Sequence, residues 1–411
     1  MWNLMLAIAV MGMPSSALAV DYTSGDYAGA DISALDGDTI SGELVNVGSL
    51  RISGVVTVPG GSVVIAAAAV TIDGTLDASA RGNGGGSGGT AGPTEGNAGG
   101  GVGAGEGGGP GPCVHGGGGG GGGFGGAGGV GGHLDGPSRG WGEAGGTYGD
   151  TSFVPQDVGS GGGGGGGACD WDGYDGGAGG GSVFIDAGRV VINGSINANG
   201  GDGTSVTDVS DSGGPGGGGS GGAVVIVSSS VSGAGFVDAN GGNGGDAVGG
   251  LAGGGGGGGG GRVNVSGDLG TVSLNALGGG PGLDTYDAGA WPNSAGGEGG
   301  VVNTEPGVAG PVLDVAGSCP GEMTFTGSEL TAGGSFALLS SSGPGGAVLP
   351  GGPCGGAASG LSPAGLTLRI VGPVDPSGMF EVRPSIPLGA CGAFIQVVDL
   401  ATCTFTGVES L

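Results

Sequence analysis

The sequence predicts an all-β protein, in which a parallel β-solenoid with glycine-rich, polyglycine-II-like insertions is followed by an immunoglobulin-like β-sandwich. Glycine accounts for 123 of the 411 residues and proline for 21, a composition that opposes helices throughout. Short stretches alternate apolar and polar residues, which is the period of half-buried strands. Similar stretches recur at a step of 20 residues, as from Ile52 to Ile72. Units this short bury their apolar faces only by stacking on one another.

Residues 1–19 are predicted to be a secretory signal peptide. An apolar stretch from Leu4 to Met11 precedes Pro14, and Ala17-Leu18-Ala19 fits cleavage after a small-x-small tripeptide. No Arg or Lys precedes the apolar stretch, so one usual feature of such peptides is missing. An N-terminal core strand is the alternative interpretation. The apolar stretch is too short to cross a bilayer, so we expect no membrane span and a secreted or cell-surface location.

The charge balance excludes several classes of function. The chain has seven Arg, no Lys and 35 acidic residues, which gives a formal charge of −28. Nucleic acid and anionic membranes are therefore not expected as partners. Without lysine the chain can form neither a Walker-type phosphate loop nor a Schiff base.

The solenoid is predicted over residues 20–311. The string Ile-x-Gly-x-aliphatic starts at Ile40, Ile52, Ile72 and Ile192. The copy that begins at Ser182 follows the copy at Ser62 by 120 residues, and without the 99-residue block 82–180 this step would be 21. Block 82–180 therefore reads as an insertion into a regular array of coils. A meandering β-sandwich is the alternative, but it does not require successive copies to be alike.

Glycine dominates the insertions, and 50 of the 99 residues in block 82–180 are glycine. A flexible linker is one interpretation. The pure glycine runs and the aromatic residues of the block favour the other, in which extended glycine chains pack side by side with direct N–H to O=C bonds. In composition, though in no motif, the block resembles the polyglycine bundles of anaplastic-lymphoma-type receptor ectodomains and of the snow-flea antifreeze protein.

Residues 312–411 contain less glycine and show six or seven short alternating strands, which favours an immunoglobulin-like sandwich. The strings SCPGEMTFTG, LPGGPCGG, PLGACGAF and DLATC resemble a C-terminal four-cysteine module of exported proteins from large-genome Gram-negative bacteria. The glycine-rich solenoid ahead of it resembles uncharacterised exported proteins of the same bacteria. The resemblance implies export and a surface or matrix role, and it carries no known active site.

The six cysteines of this exported, lysine-free chain are expected to form disulfides. Cys113 and Cys169 lie in the large insert and are expected to pair with each other. The other four lie in the C-terminal module. Because the first and last of them flank the strands that begin and end the module, the predicted pairs are Cys319 with Cys403 and Cys354 with Cys391.

Candidate chemistry in the sequence is sparse. Asp170, Asp172 and Asp175 surround a glycine turn and are a candidate calcium loop, for which a solvated acidic turn is the alternative. Trp171 and Tyr174 beside them are candidates for stacking on a sugar. No other cofactor is expected.

Catalytic residues are not predicted. His115 and His133 are expected to cap glycine amides rather than to act as bases. Strings of the form G-x-S-x-G at Ser87 and Ser220 lack the strand and helix that a nucleophile elbow needs. Four side chains could line a polysaccharide-cleaving face, although cations are almost absent from the chain. These four are Asp73, Asp77, Asp186 and Asn197.

The predicted function is that of a noncatalytic, exported structural or adhesive protein of the cell surface or matrix. Extracellular polysaccharide or cell-surface components are the expected partners. A glycan-binding surface protein is the first alternative, and a polysaccharide-active β-solenoid enzyme is the second.

Overall fold

A computed structural model describes residues 19–411, except 112–115, 133–139, 151, 153–154, 156, 209–211, 248–251, 285–292, 306–310, 329, 344–348, 350, 355–358, 360 and 407. The described residues are almost entirely strands and extended chain, with one short 3₁₀ helix at Leu388–Ala390. The all-β prediction is confirmed.

The N-terminal part of the chain contains fifteen strands among the described residues. They are β1 (Asp21–Tyr22), β2 (Gly25–Asp26), β3 (Ile32–Ala34), β4 (Thr39–Ile40), β5 (Gly42–Ile52), β6 (Val55–Thr57), β7 (Ser62–Ile72), β8 (Thr75–Asp77), β9 (Ser182–Ile192), β10 (Ser195–Asn197), β11 (Ala223–Ser232), β12 (Phe236–Asp238), β13 (Arg262–Leu269), β14 (Ser273–Asn275) and β15 (Val301–Glu305).

These strands form two parallel sheets. The short-strand sheet has the order β1-β4-β6-β8-β10-β12-β14, and the long-strand sheet has the order β15-β13-β11-β9-β7-β5-β2, with β3 added beside β5. From β4 onward the chain alternates between the two sheets. β7 and β9 pair in parallel although about 100 residues of insert separate them, with Ser62 opposite Ser182 and Ile72 opposite Ile192. The 120-residue offset in the sequence is therefore the true register.

Apolar residues from both sheets fill the space between them. Ile52, Ile72 and Ile192 lie in one row of the long-strand sheet, and each is fully buried. The glycine of the Ile-x-Gly repeat lies at the corner between the sheets. A Cβ on Gly194 would run into the backbone of Gly74, at the corresponding corner between β7 and β8, so only glycine fits there. The match at Ile40 lies at the opposite corner, because Gly42 begins a long strand rather than ending one.

The glycine-rich segments leave the short-strand sheet and return to the long-strand sheet. We call the described residues of 82–181, 198–222, 239–261 and 276–300 the glycine bundle. Its chains are extended and joined by backbone hydrogen bonds with a period of three. In the run Gly116–Gly123, amides at successive positions donate to segments 212–218, 103–109 and 129–132 in turn. The carbonyls accept from segments 163–166, 142–145 and 256–259.

Each of four runs in the described part of the bundle therefore has six neighbouring chains. Besides Gly116–Gly123, they are the runs 159–167, 214–222 and 254–261. Gly116–Gly123 is buried throughout. A Cβ on Gly120 would lie closer to the carbonyl of Glu143 than real Cβ atoms ever approach. The pure glycine runs of the sequence are thus the central chains of the bundle.

The C-terminal part forms antiparallel sheets. Its strands are β16 (Val312–Gly317), β17 (Gly321–Ser328), β18 (Ser335–Ser341), β19 (Thr367–Pro373), β20 (Phe380–Val382), β21 (Ser385–Ile386), β22 (Phe394–Asp399) and β23 (Glu409–Ser410). One sheet has the order β16-β17-β20, with β21 also beside β17, and the other has the order β19-β18-β22-β23. Phe336 and Phe380 stack at 3.6 Å between ring centres in the core between them.

The predicted pairing of the last four cysteines is wrong. Cys319 bonds to Cys391, and Cys354 bonds to Cys403. The reason is the sheet arrangement: Gly321 of β17 pairs with Ile386 of β21, which carries Cys319 to the side of Cys391. Cys403 follows β22 in the other sheet and packs with Cys354 in a separate apolar cluster.

These four cysteines pair only with one another, as predicted. Cys169 in the insert is also disulfide-bonded. Its predicted partner, Cys113, lies outside the described residues.

Candidate functional site

The three aspartates of the candidate calcium loop do not form a cluster. Asp172 accepts a hydrogen bond from the amide of Ala91, and Asp175 accepts one of 2.9 Å from the amide of Gly88. In an extended threefold chain, residues three apart point the same way at about 9 Å, too far apart to share one calcium ion whose ligands lie at about 2.5 Å. Within the described residues, no group of three or more acidic, His or Cys side chains could hold a metal ion.

Polar side chains along the outer chains of the bundle also accept hydrogen bonds from backbone amides. A residue at every third position reaches across and accepts a hydrogen bond from an amide of the next chain. The pairs, donor first, are Asn240 to Asn199, Leu277 to Asn240, Asn243 to Asp202, Gly280 to Asn243 and Leu283 to Asp246, all at 2.7 or 2.8 Å. These side chains satisfy amides at the bundle surface, where the neighbouring chain that would accept from them is missing.

The four candidates for a polysaccharide-cleaving face lie on three different surfaces. Asp77 and Asn197 are opposite each other on the short-strand sheet. Asp73 lies at the corner between sheets, 2.8 Å from Arg51, and the hydrogen bond from Asn193 together with the Arg51 charge lowers its pKa. Asp186 lies alone on the outer face of the long-strand sheet. Among these four side chains, the structure thus does not bring together the two carboxylates that glycoside hydrolysis requires.

Asp186 lies in a cavity of about 680 Å³ between the long-strand sheet and the C-terminal part. One wall is the middle of β5, β7, β9, β11 and β13, where small residues prevail and the strand register shifts, as between Val227 and Ser230. Phe394 and Phe405 line the opposite wall, with Pro311 between the two parts. Aromatic, hydroxyl and carboxylate groups therefore converge in this cavity.

The carboxylate of Asp186 points outward because its neighbours Ile185 and Ala187 point into the core. Although it is open to the cavity, the surrounding protein atoms desolvate it and raise its pKa. None of the described side chains or amides hydrogen-bonds to this carboxylate. A desolvated acid without a partner is a group that a ligand hydroxyl could satisfy.

A buried arginine holds the insert against the long-strand sheet. Arg262 is 7% exposed and donates through its guanidinium to the carbonyl of Tyr148 at 2.7 and 3.2 Å. Its guanidinium carbon lies 5.5 Å from the centre of the Phe124 ring, which packs on Tyr148. Burial lowers the pKa of Arg262, with the nearby Asp150 acting in the opposite direction. The sequence offered no signal for this anchor beyond the scarcity of arginine.

For the histidine and serine candidates, the described residues show no arrangement of a nucleophile with a base. His115 and His133 lie outside the described residues. Ser220 is fully buried, and its hydroxyl oxygen accepts a hydrogen bond of 2.8 Å from the backbone amide of Ser160. Among the residues placed by the structure, no helix has the length and apolar character needed to cross a membrane.

Comparison of the chain with protein-family models, with curated proteins and with solved structures finds no match.

Proposed function

We propose that the chain is a noncatalytic, exported structural or adhesive protein of the cell surface or matrix. Its scaffold is a β-solenoid whose coils are extended sideways into a polyglycine-II-like bundle, followed by an immunoglobulin-like sandwich. The observation that carries the proposal is the set of glycine runs with six hydrogen-bonded neighbours each. Backbone hydrogen bonds join each of these runs to neighbouring chains in several directions, which makes the bundle stiff. A stiff domain suits a protein that bears force or displays a binding surface.

Three further observations support the proposal. The parallel pairing of all strands in the first two sheets favours a solenoid over a meandering sandwich, which is built from antiparallel pairs. Two disulfides in the C-terminal part fit an oxidising compartment. The separation of Asp73, Asp77 and Asp186 onto different surfaces supports a noncatalytic role.

Export and surface display are tested in the organism that encodes the chain, with a C-terminal tag, because a chain without lysine reacts poorly with amine labels. We expect a mature N-terminus at Val20 and a tag that external protease removes from intact cells. A strain that lacks the gene should lose cell aggregation or matrix, and the full chain should restore it. Cytoplasmic retention, or an unchanged phenotype, would refute the proposal.

The noncatalytic part of the proposal has its own test. Purified protein is incubated with neutral and acidic polysaccharides, and new reducing ends are measured. We expect none above the buffer control. Turnover that Asp186→Asn abolishes would establish an enzyme instead.

A further inference from the structure

The cavity around Asp186 has the size and the lining of a binding site. We propose that it binds a neutral saccharide, as one or more residues of an extracellular polysaccharide. This rests on the exported role proposed above and adds a ligand class to it. The volume of about 680 Å³ lies within the range of about 300 to 1,000 Å³ that is usual for small-molecule sites.

The floor of the cavity can admit a flat ring. Small residues of adjacent long strands meet there, among them Ala68, Gly188 and Ser228. The register shifts between β5 and β7 and between β11 and β13 fall in the same zone. A shift of this kind bends the strand and interrupts the ladder, as β-bulges beside binding sites do. The floor is therefore a shallow trough that crosses several strands.

The opposite wall supplies aromatic surface. Phe394 and Phe405 line the cavity and rest on the apolar cluster that contains the Cys354 to Cys403 disulfide. Because that support fixes the two rings, they offer apolar faces without an ordering cost on binding. The C–H face of a sugar ring packs on such a surface, while its hydroxyl groups remain free for polar partners.

The polar groups select a neutral ligand. The carboxylate of Asp186 is the charged group of the lining, and no Arg or His is among the residues that the structure places there. A carboxylate accepts hydrogen bonds from sugar hydroxyls, and such charge-assisted bonds are stronger than neutral ones. An anionic sugar would meet both this carboxylate and the formal charge of −28 without a compensating cation.

Binding is tested by calorimetry on the full chain with three neutral probes, cellotetraose, maltotetraose and tetra-N-acetylchitotetraose. Tetragalacturonate serves as an anionic probe and spermidine as a cationic one. Asp186→Leu removes the acceptor, and Ala68→Trp fills the trough. Val55→Trp is the matched control, because Val55 is 47% exposed on the other sheet. Near-ultraviolet circular dichroism verifies that each variant is folded.

We expect at least one neutral probe to bind, and both cavity variants to weaken it by about tenfold or more, while Val55→Trp leaves it unchanged. Binding of no neutral probe, binding that both cavity variants leave unaffected, or binding of spermidine alone would overturn the inference. Export and bundle order are measured separately, so a failure here is distinguishable from a failure of the scaffold proposal.

Discussion

Adding one methyl group at the centre of the glycine bundle should destabilise it strongly. Gly120 lies in the run Gly116–Gly123, and a Cβ there would meet the backbone of residues 142 and 143 well inside contact distance. The chains must separate to admit it. Gly120 donates to Glu106 at 2.9 Å and accepts from Gly163 at 2.8 Å, so two hydrogen bonds are at risk.

The magnitude follows from these contacts. Overpacking costs about 1 to 3 kcal/mol, and each lost hydrogen bond costs about 0.5 to 1.5 kcal/mol, so Gly120→Ala should lower the free energy of unfolding of the bundle by about 2 to 6 kcal/mol. Gly120→Val should cost more. Gly146 is the matched control, since it belongs to the same bundle, is exposed and has open space where its Cβ would stand. Gly146→Ala should stabilise by about 0.4 to 1 kcal/mol, because alanine restricts the unfolded chain.

Hydrogen exchange with mass spectrometry is the assay, since it separates the bundle from the sheets. In Gly120→Ala we expect amides of segments 103–109 and 161–167 to exchange faster, while β9 remains protected. Limited proteolysis should cut the bundle of Gly120→Val and spare the two parallel sheets. If Gly120→Ala and Gly146→Ala exchange alike, or if the wild-type bundle exchanges as fast as an unfolded chain, the packing argument fails.

Three further predictions concern single buried groups. Cleavage before Val20 would place an α-ammonium where its amide now donates to Asp38 at 2.7 Å, so Asp38→Asn should lower the Tm of the mature chain more than that of the uncleaved chain. Burial acts to raise the pKa of Asp399, but hydrogen bonds outweigh it and the pKa is lowered. Its carboxylate therefore stabilises the fold above its unfolded pKa, and the stability deficit of Asp399→Asn at neutral pH should shrink in denaturant titrations as the pH falls below about 4 and vanish only below the lowered pKa of the folded state. Arg262→Met removes the hydrogen bonds to Tyr148, so it should lower the free energy of unfolding in urea by about 1.5 to 3 kcal/mol and speed hydrogen exchange in segment 140–149.

The register of the parallel strands could be predicted from the sequence because it depends on local rules. Alternation of apolar and polar residues predicts one buried face, and Val70, Ile72 and Leu76, which alternate with polar residues, are all buried; the repeat step also holds across a long insertion. The glycine runs were recognisable for the same reason, since only a chain without side chains can have six close neighbours. The match at Ile40 was counted with the other three although it lies at the opposite corner, because the motif does not distinguish the two turns between the sheets.

The features that were missed depend on which elements become neighbours. Cys319 and Cys403 flank the first and last strands of the module, yet those strands belong to different sheets. Asp172 and Asp175 looked like metal ligands because carboxylates near glycine are typical of calcium loops. The period of three in the glycine chains matches neither the 3.6-residue period of a helix nor the two-residue period of a strand. The hydrogen bond that Asn243 accepts from a backbone amide was therefore not predicted either. Asp186 was a candidate for a polysaccharide-cleaving face, but the wall opposite it comes from residues more than 200 positions later in the chain, which local patterns do not reveal.

The absence of side chains at the centre of the glycine bundle has a thermodynamic consequence. Exposure of apolar surface raises the heat capacity on unfolding by about 0.45 cal/K/mol per Å², and exposure of polar surface lowers it by about 0.26. Melting the run Gly116–Gly123 exposes mainly amide groups, whereas melting the core around Ile72 exposes mainly hydrocarbon. Per residue, the bundle should therefore contribute less heat capacity than the sheets. The free energy of unfolding of the bundle should therefore depend less steeply on temperature than that of the sheets. At low temperature, where hydrophobic stabilisation weakens, the bundle should lose less stability than the sheets.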